Sequence, residues 1–253
     1  MDNTTKNTNN IANRYISEAA VVVSFNRDTA VRLKQPKAEE AFKNIINKAS
    51  INTNLPDDSD PSNPRIIFRD TLKEIVISQI SATLLTRFDN LESLNKQVEA
   101  IDENVSKLFN CVKDFAGEAN IKDTGIIVLV KHTSDKPIKE LNSYLFNNFS
   151  KFESQGEIVN VNYRMGFKTD NKLFVGYDLS TYETINGTNE TTAESKKNEN
   201  GYIVRIELNN KPFFIDSKIA FLLEPNDIKA RIKDIRFIYS LTPDRVLLKL
   251  KFN

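Results

Sequence analysis

Residues 89–117 read DNLESLNKQVEAIDENVSKLFNCVKDFAG, and within them Leu91, Leu94, Val98, Ile101, Val105, Leu108, Val112 and Phe115 recur at alternating steps of three and four. That spacing holds apolar side chains on one side of an α-helix. Asp89 and Glu92 are spaced as a capping box at its start, and Gly117 stands where a helix would end. At 1.5 Å per residue the helix is roughly 40 Å long. Such a stripe serves either a coiled coil with a second chain or a helix laid across a sheet. With Leu91 at position a, the e and g positions carry Asn95, Gln97, Asp102, Asn104, Phe109, Cys111 and Ala116, without the opposite charges that select a partner helix. Phe109 and Cys111 also widen the stripe beyond a two-stranded seam. The register therefore favours packing within the chain. Its narrower run, Leu91, Leu94, Val98 and Ile101, is the candidate interface for self-association.

On either side of this helix the pattern is that of strands. Ile16 to Phe25 reads as a buried strand, Lys37 to Ala49 as a helix opened by Pro36, and TNLPDDSDPSNP as a loop. Arg65 to Arg69 and Glu74 to Phe88 form a hairpin about the Asp70 to Lys73 turn, the second run bending near Ser78 to Ser81. The unbroken run Ile126 to Val130 predicts a central strand covered on both faces. Pro137 opens a helix with Ile138, Leu141, Leu145, Phe149 and Phe152 on its apolar side. Period-two alternation follows from Val159 to Phe167, Leu173 to Leu179 and Tyr202 to Leu208. A strand region from Phe213 to Leu223, a short helix over Asn226 to Lys233 and a terminal hairpin about Pro243-Asp244 complete the chain. The fold class expected is α+β: mostly antiparallel sheets, one long amphipathic helix, two shorter helices and a strand-rich C-terminal half. Residues 1–13 read as a disordered tail, 14–152 as an α+β half and 153–253 as a β-rich half, with a common core left open.

Composition sets limits on function. The 253 residues are 40% hydrophobic and 27% charged, with a net charge of +1 and a mean hydropathy of −0.42. Those values belong to a folded globular chain. No apolar run approaches the ~20 residues a membrane-spanning helix needs, and the polar N-terminus has no signal-peptide pattern, so a cytoplasmic location without membrane contact is expected. One cysteine, Cys111, agrees with a reducing compartment and reads as a buried filler. The sequons at Asn186 and Asn189 are then idle.

Chemistry is narrowed mainly by exclusion. One cysteine and one histidine cannot build a zinc site from a single chain. Neither a GxxxxGK[ST] run nor GxGxxG occurs among the seven glycines, so a P-loop is absent and no cofactor is expected. His132 lacks a nucleophile elbow to serve and reads as a surface residue at a strand end. Asp57, Asp58 and Asp60 lack the glycine and glutamate of a calcium loop and read as a solvated turn. Glu207 with Asp216-Ser217-Lys218 has the residue types, at a permissive spacing, of a metal-dependent nuclease site. Lys229, Arg231, Lys233, Arg236, Lys249 and Lys251 make a candidate basic patch for a phosphate backbone, although lysines on the terminal hairpin also protect a sheet edge.

The order of the N-terminal elements resembles a sporadically distributed bacterial family of about this length that has no assigned activity. The matching pieces are Glu18 to Phe25, Pro64-Arg65-Ile66-Ile67-Phe68 with Glu74 to Phe88, the heptad helix and Ile126 to Val130. They cover roughly half the chain and are structural in character. The chain departs from the family at Arg87-Phe88, where an aromatic pair with Trp is usual. The resemblance carries over no catalytic residue and implies an accessory protein. The expected function is a non-enzymatic protein-interaction or structural subunit, in a phage-defence or prophage-linked system, with self-association or other chains as partners. The alternative is a nucleic-acid-binding protein with weak metal-dependent nuclease activity.

Overall fold

The computed structural model describes residues 14–88, 92–150, 152–168, 174–184 and 199–209. Among them the chain runs β1 (Arg14–Phe25), α1 (Gln35–Phe42), β2 (Ile51–Asn52), β3 (Ile66–Arg69), β4 (Lys73–Ile77), β5 (Ser81–Arg87), α2 (Leu94–Ala116), β6 (Ile121–Thr133), α3 (Ile138–Phe149), β7 (Asn162–Lys168), β8 (Phe174–Thr184) and β9 (Glu199–Asn209). The fold is α+β, and its strands form one sheet in the order β2-β3-β4-β5-β1-β6-β9-β8-β7. Every pairing is antiparallel. β6 and β9 lie side by side over nine residue pairs, from Gly125 opposite Asn209 to Thr133 opposite Gly201, so one sheet crosses the boundary expected near residue 152.

Alternation along the strands gives the sheet two unlike faces. One row of cross-strand neighbours, Phe68, Ile75, Leu84, Val21, Ile126, Leu208 and Val175, is buried on a single side. The three described α-helices lie on that side: α2 against β5, β1 and β6, α3 against β9 and β8, and α1 against α2. The core is one continuous cluster of buried side chains. Among the described residues no helix lies over the other side. Ile127 and Leu129 point there and are half buried; β6 is central as expected, and the described helices cover one of its faces.

The stripe of α2 is used up inside the chain. Val98, Ile101, Val105, Leu108, Val112 and Phe115 are all at most 2% exposed. Val98 and Ile101 therefore offer no surface to a second helix. Leu94 is half buried against the core, and Leu91 lies outside the described residues. The flanking amides show why the coiled-coil register fails. Gln97 is fully buried; its Oε1 accepts from the Ile16 N–H at 3.2 Å and its Nε2 donates to the Ile16 carbonyl at 3.1 Å. A bulge at Ser17 breaks the β1–β6 register there, and the β1–β5 pairing starts only at Glu18, so the side chain of Gln97 satisfies backbone groups that no strand reaches. Asn104 likewise donates to the Thr86 hydroxyl at 3.1 Å. Replacing Gln97 by Leu should cost about 1–3 kcal/mol by leaving both Ile16 groups buried and unpaired. A urea midpoint unchanged in that variant would count against this role for Gln97.

Several boundaries move for local reasons. The N-cap of α2 is Ser93, whose hydroxyl accepts from the Lys96 N–H at 3.5 Å; the Asp89–Glu92 capping box is displaced, and Asp89 itself lies outside the described residues. Gly117 does end the helix, with φ of +87° and its N–H donating to the Lys113 carbonyl. Glu74 to Phe88 is not one bent strand but two, because the Ser78 hydroxyl accepts the Ile80 and Ser81 N–H groups and closes a turn. α1 stops at Phe42, and Phe152 is 83% exposed beyond the end of α3. The loop before β3 is tied down from inside. Arg65, fully buried, donates to the carbonyls of Ser59, Asp60 and Asn63, and Gln79 donates to that of Asp57. No helix among the described residues is long and apolar enough to cross a membrane.

Candidate interaction surface

The face opposite the described helices is built from the residues that alternate with the core rows. Across the sheet run Ile67, Val76, Thr83, Val22, Gly125 and Asn209, and beside them Glu74, Leu85, Ala20, Ile127 and Glu207. Apolar members dominate from β3 to β6, each half buried. None of Val76, Leu85, Ala20, Val22, Ile127 or Leu129 packs against the core. Strand sequences produce this directly: β-branched and aliphatic residues occupy both parities of β1 and β6, so a second apolar surface forms when the first is buried.

Toward β7 the same face becomes charged. Arg164, Asp178 and Arg205 are successive cross-strand neighbours beside Leu129. Arg205 Nη1 lies 2.6 Å from Glu207 Oε2, and Arg164 Nη2 lies 4.0 Å from it. At the top of the face, Glu199 Oε1 accepts from Tyr15 at 2.9 Å, Tyr182 at 2.8 Å and Lys131 at 3.2 Å, while Lys131 Nζ sits 4.5 Å from the Tyr182 ring centroid. Burial works against the Glu199 charge, but the Tyr182, Tyr15 and Lys131 donors outweigh it and hold the carboxyl below its usual range. Both phenols are pushed up, first by burial and then by the carboxylate. That leaves no phenolate base here. The cluster clamps β1, β6, β8 and β9 together.

Between the two regions lies a cavity of about 190 Å³ lined by Val22, Ser24, Asp123, Gly125, Ile127, Glu207 and Asn209. Its position follows from Gly125: a Cβ there would stand 3.1 Å from Asn209 Cβ and 3.2 Å from the Leu208 carbonyl oxygen. The signal was present in the sequence as a lone glycine heading an aliphatic strand, which marks a close approach or a gap. Asp123 carries no such mark and emerges only from the pairing of β1 with β6.

Other residues singled out by type fall elsewhere. His132 is not at the surface: it is 1% exposed on the helix side, between Arg14 of β1 and Tyr202 of β9, and neither ring nitrogen has a hydrogen-bond partner. Burial, assisted by the Arg14 charge, lowers its pKa to about 4. Burial likewise pushes the Cys111 thiol up to about 11, which leaves it unreactive. Asp60 accepts from the Ser62 N–H and hydroxyl within its loop. Glu207 is on the open face, whereas Asp216, Lys218 and the basic residues Lys229, Arg231, Lys233, Arg236, Lys249 and Lys251 lie outside the described residues. Among the described residues no group of three or more His, Cys, Asp or Glu side chains is arranged to hold a metal ion.

Comparison with protein-family models, with curated proteins and with solved structures finds no match.

Proposed function

We propose that this protein is a non-catalytic interaction subunit that holds a partner protein on the face of its sheet opposite the described helices. The observation that carries this reading is the band Val76, Leu85, Ala20, Val22, Ile127 and Leu129, a continuous apolar surface on the side opposite the described helices. Contiguous apolar surface rimmed by charge is characteristic of protein interfaces. The Arg164, Asp178, Arg205 and Glu207 ladder supplies such a rim, and its alternating signs select orientation more than they add affinity. The reactive side chains support a binding role too: the histidine is sealed in the core and the cysteine is shielded.

Affinity capture of the full chain from native lysate, repeated with Ile127→Glu combined with Leu129→Glu, tests the proposal. Both positions are partly exposed, so the double variant, checked as folded by circular dichroism, should lose its partner. A partner retained equally by both proteins, or a strict monomer that captures nothing, would overturn it.

A further inference from the structure

We infer that the cavity over Gly125 is a seat for one basic side chain, lysine or arginine, presented by the partner chain; this deepens the interaction reading and rests on it. Size decides first. At about 190 Å³ the cavity is smaller than the ~300–1,000 Å³ of small-molecule and cofactor sites. It matches a single long side chain lowered from a chain lying over the sheet.

The lining decides the chemistry. Val22 and Ile127 supply an apolar floor, and Asp123 and Glu207 supply carboxylates at the wall. An aliphatic stem ending in a cation complements both parts, because lysine and arginine bury their methylenes while the charged head seeks acceptors. The two carboxylates are not equivalent. Glu207 already has Arg205 at 2.6 Å and accepts from Asn209 Nδ2 at 2.9 Å. Asp123 Oδ1 accepts from the Ser24 hydroxyl at 2.9 Å, and no basic group lies within ion-pair distance of it among the described residues. A carboxylate keeps acceptor capacity after one such bond. Among the described residues the cavity therefore presents one carboxylate without a basic partner, beside an apolar floor that continues into the Ile127 and Leu129 band. Anionic and purely apolar groups are disfavoured by the same arrangement.

N-Butylguanidinium, which carries the arginine head on a short stem, is the probe. Titrated into the ¹⁵N-labelled full chain at low salt, it should shift the amides of Val22, Gly125 and Ile127 in a saturable way. Butylsulfonate should leave them unmoved. Asp123→Asn, a partly exposed change that preserves shape, should weaken probe binding about fivefold, in line with a half-exposed ion pair, and added salt should do the same. Shifts absent from these amides, or undiminished in Asp123→Asn, overturn the assignment. If the probe fails while Ile127→Glu with Leu129→Glu still loses a partner, the seat is wrong and the interaction face stands. If the probe binds and no partner depends on that double variant, the face reading falls and the cation seat stands.

Discussion

Phe115→Ala should lower the unfolding free energy by about 3–5 kcal/mol, the usual cost of emptying a buried phenylalanine site. Phe115 is 1% exposed at the end of α2, where its ring meets Phe25 of β1 edge-on at a centroid distance of 6.2 Å and Phe42 of α1 at 6.0 Å. Phe42 in turn meets Phe68 of β3 at 6.0 Å. One ring therefore joins two helices to the sheet, and its loss leaves a cavity that three separate elements must close. Such a cost is a large part of the ~5–15 kcal/mol that holds a typical domain folded. Urea unfolding followed by circular dichroism measures it. A change below about 1 kcal/mol, the range of well-tolerated core swaps, would mean that the α1–α2 end is not cooperative with the sheet.

The second large effect is an acid one. The unfolded chain protonates His132 near the ordinary value of 6.5, whereas the buried ring in the folded chain resists protonation until about 4. Between those values the unfolded state binds more protons, so stability rises with pH across the window and is lost as pH falls through it. The loss from pH 7 to pH 4 attributable to this residue is about 3 kcal/mol, from 1.36 kcal/mol per unit. His132→Leu should flatten that dependence. It should also be neutral or stabilising at pH 7, since two buried nitrogens without partners are removed. Urea midpoints for both proteins at pH 7, 5.5 and 4 provide the measurement. Parallel acid slopes would remove His132 as the cause.

Periodicity carried most of the architecture. The steps of three and four in α2 and the alternation in β7, β8 and β9 are burial patterns written directly in residue type, and the α+β class follows from them. What stayed hidden depends on contacts distant in the chain. Gln97 and Asn104 look like ordinary helix-surface amides until β1 and β5 are placed beneath them. His132 looks like a strand-end residue until Arg14 and Tyr202 flank it and α3 closes over that end. The run Ile126 to Val130 announces two apolar sides but cannot say on which of them α2 will lie. The candidate surface was least legible, because Asp123 and Gly125 of β6 meet Glu207 of β9 through register alone, and no spacing rule joins strands so far apart in the chain.

The place of β1 in the sheet also sets an order of assembly. Its first partner to emerge is β5, with Val21 opposite Leu84, and its second is β6, with Val21 opposite Ile126. About 40 residues separate those two events, which at ribosomal speeds of 5–20 residues per second is roughly 2–8 s. Through that interval the Val21-Val22-Val23 edge has hydrogen-bonding groups to spare and no β6 to take them. This strand is therefore where a chaperone or a neighbouring nascent chain would most readily intervene, and where slow translation or removal of α2 should first appear as aggregation.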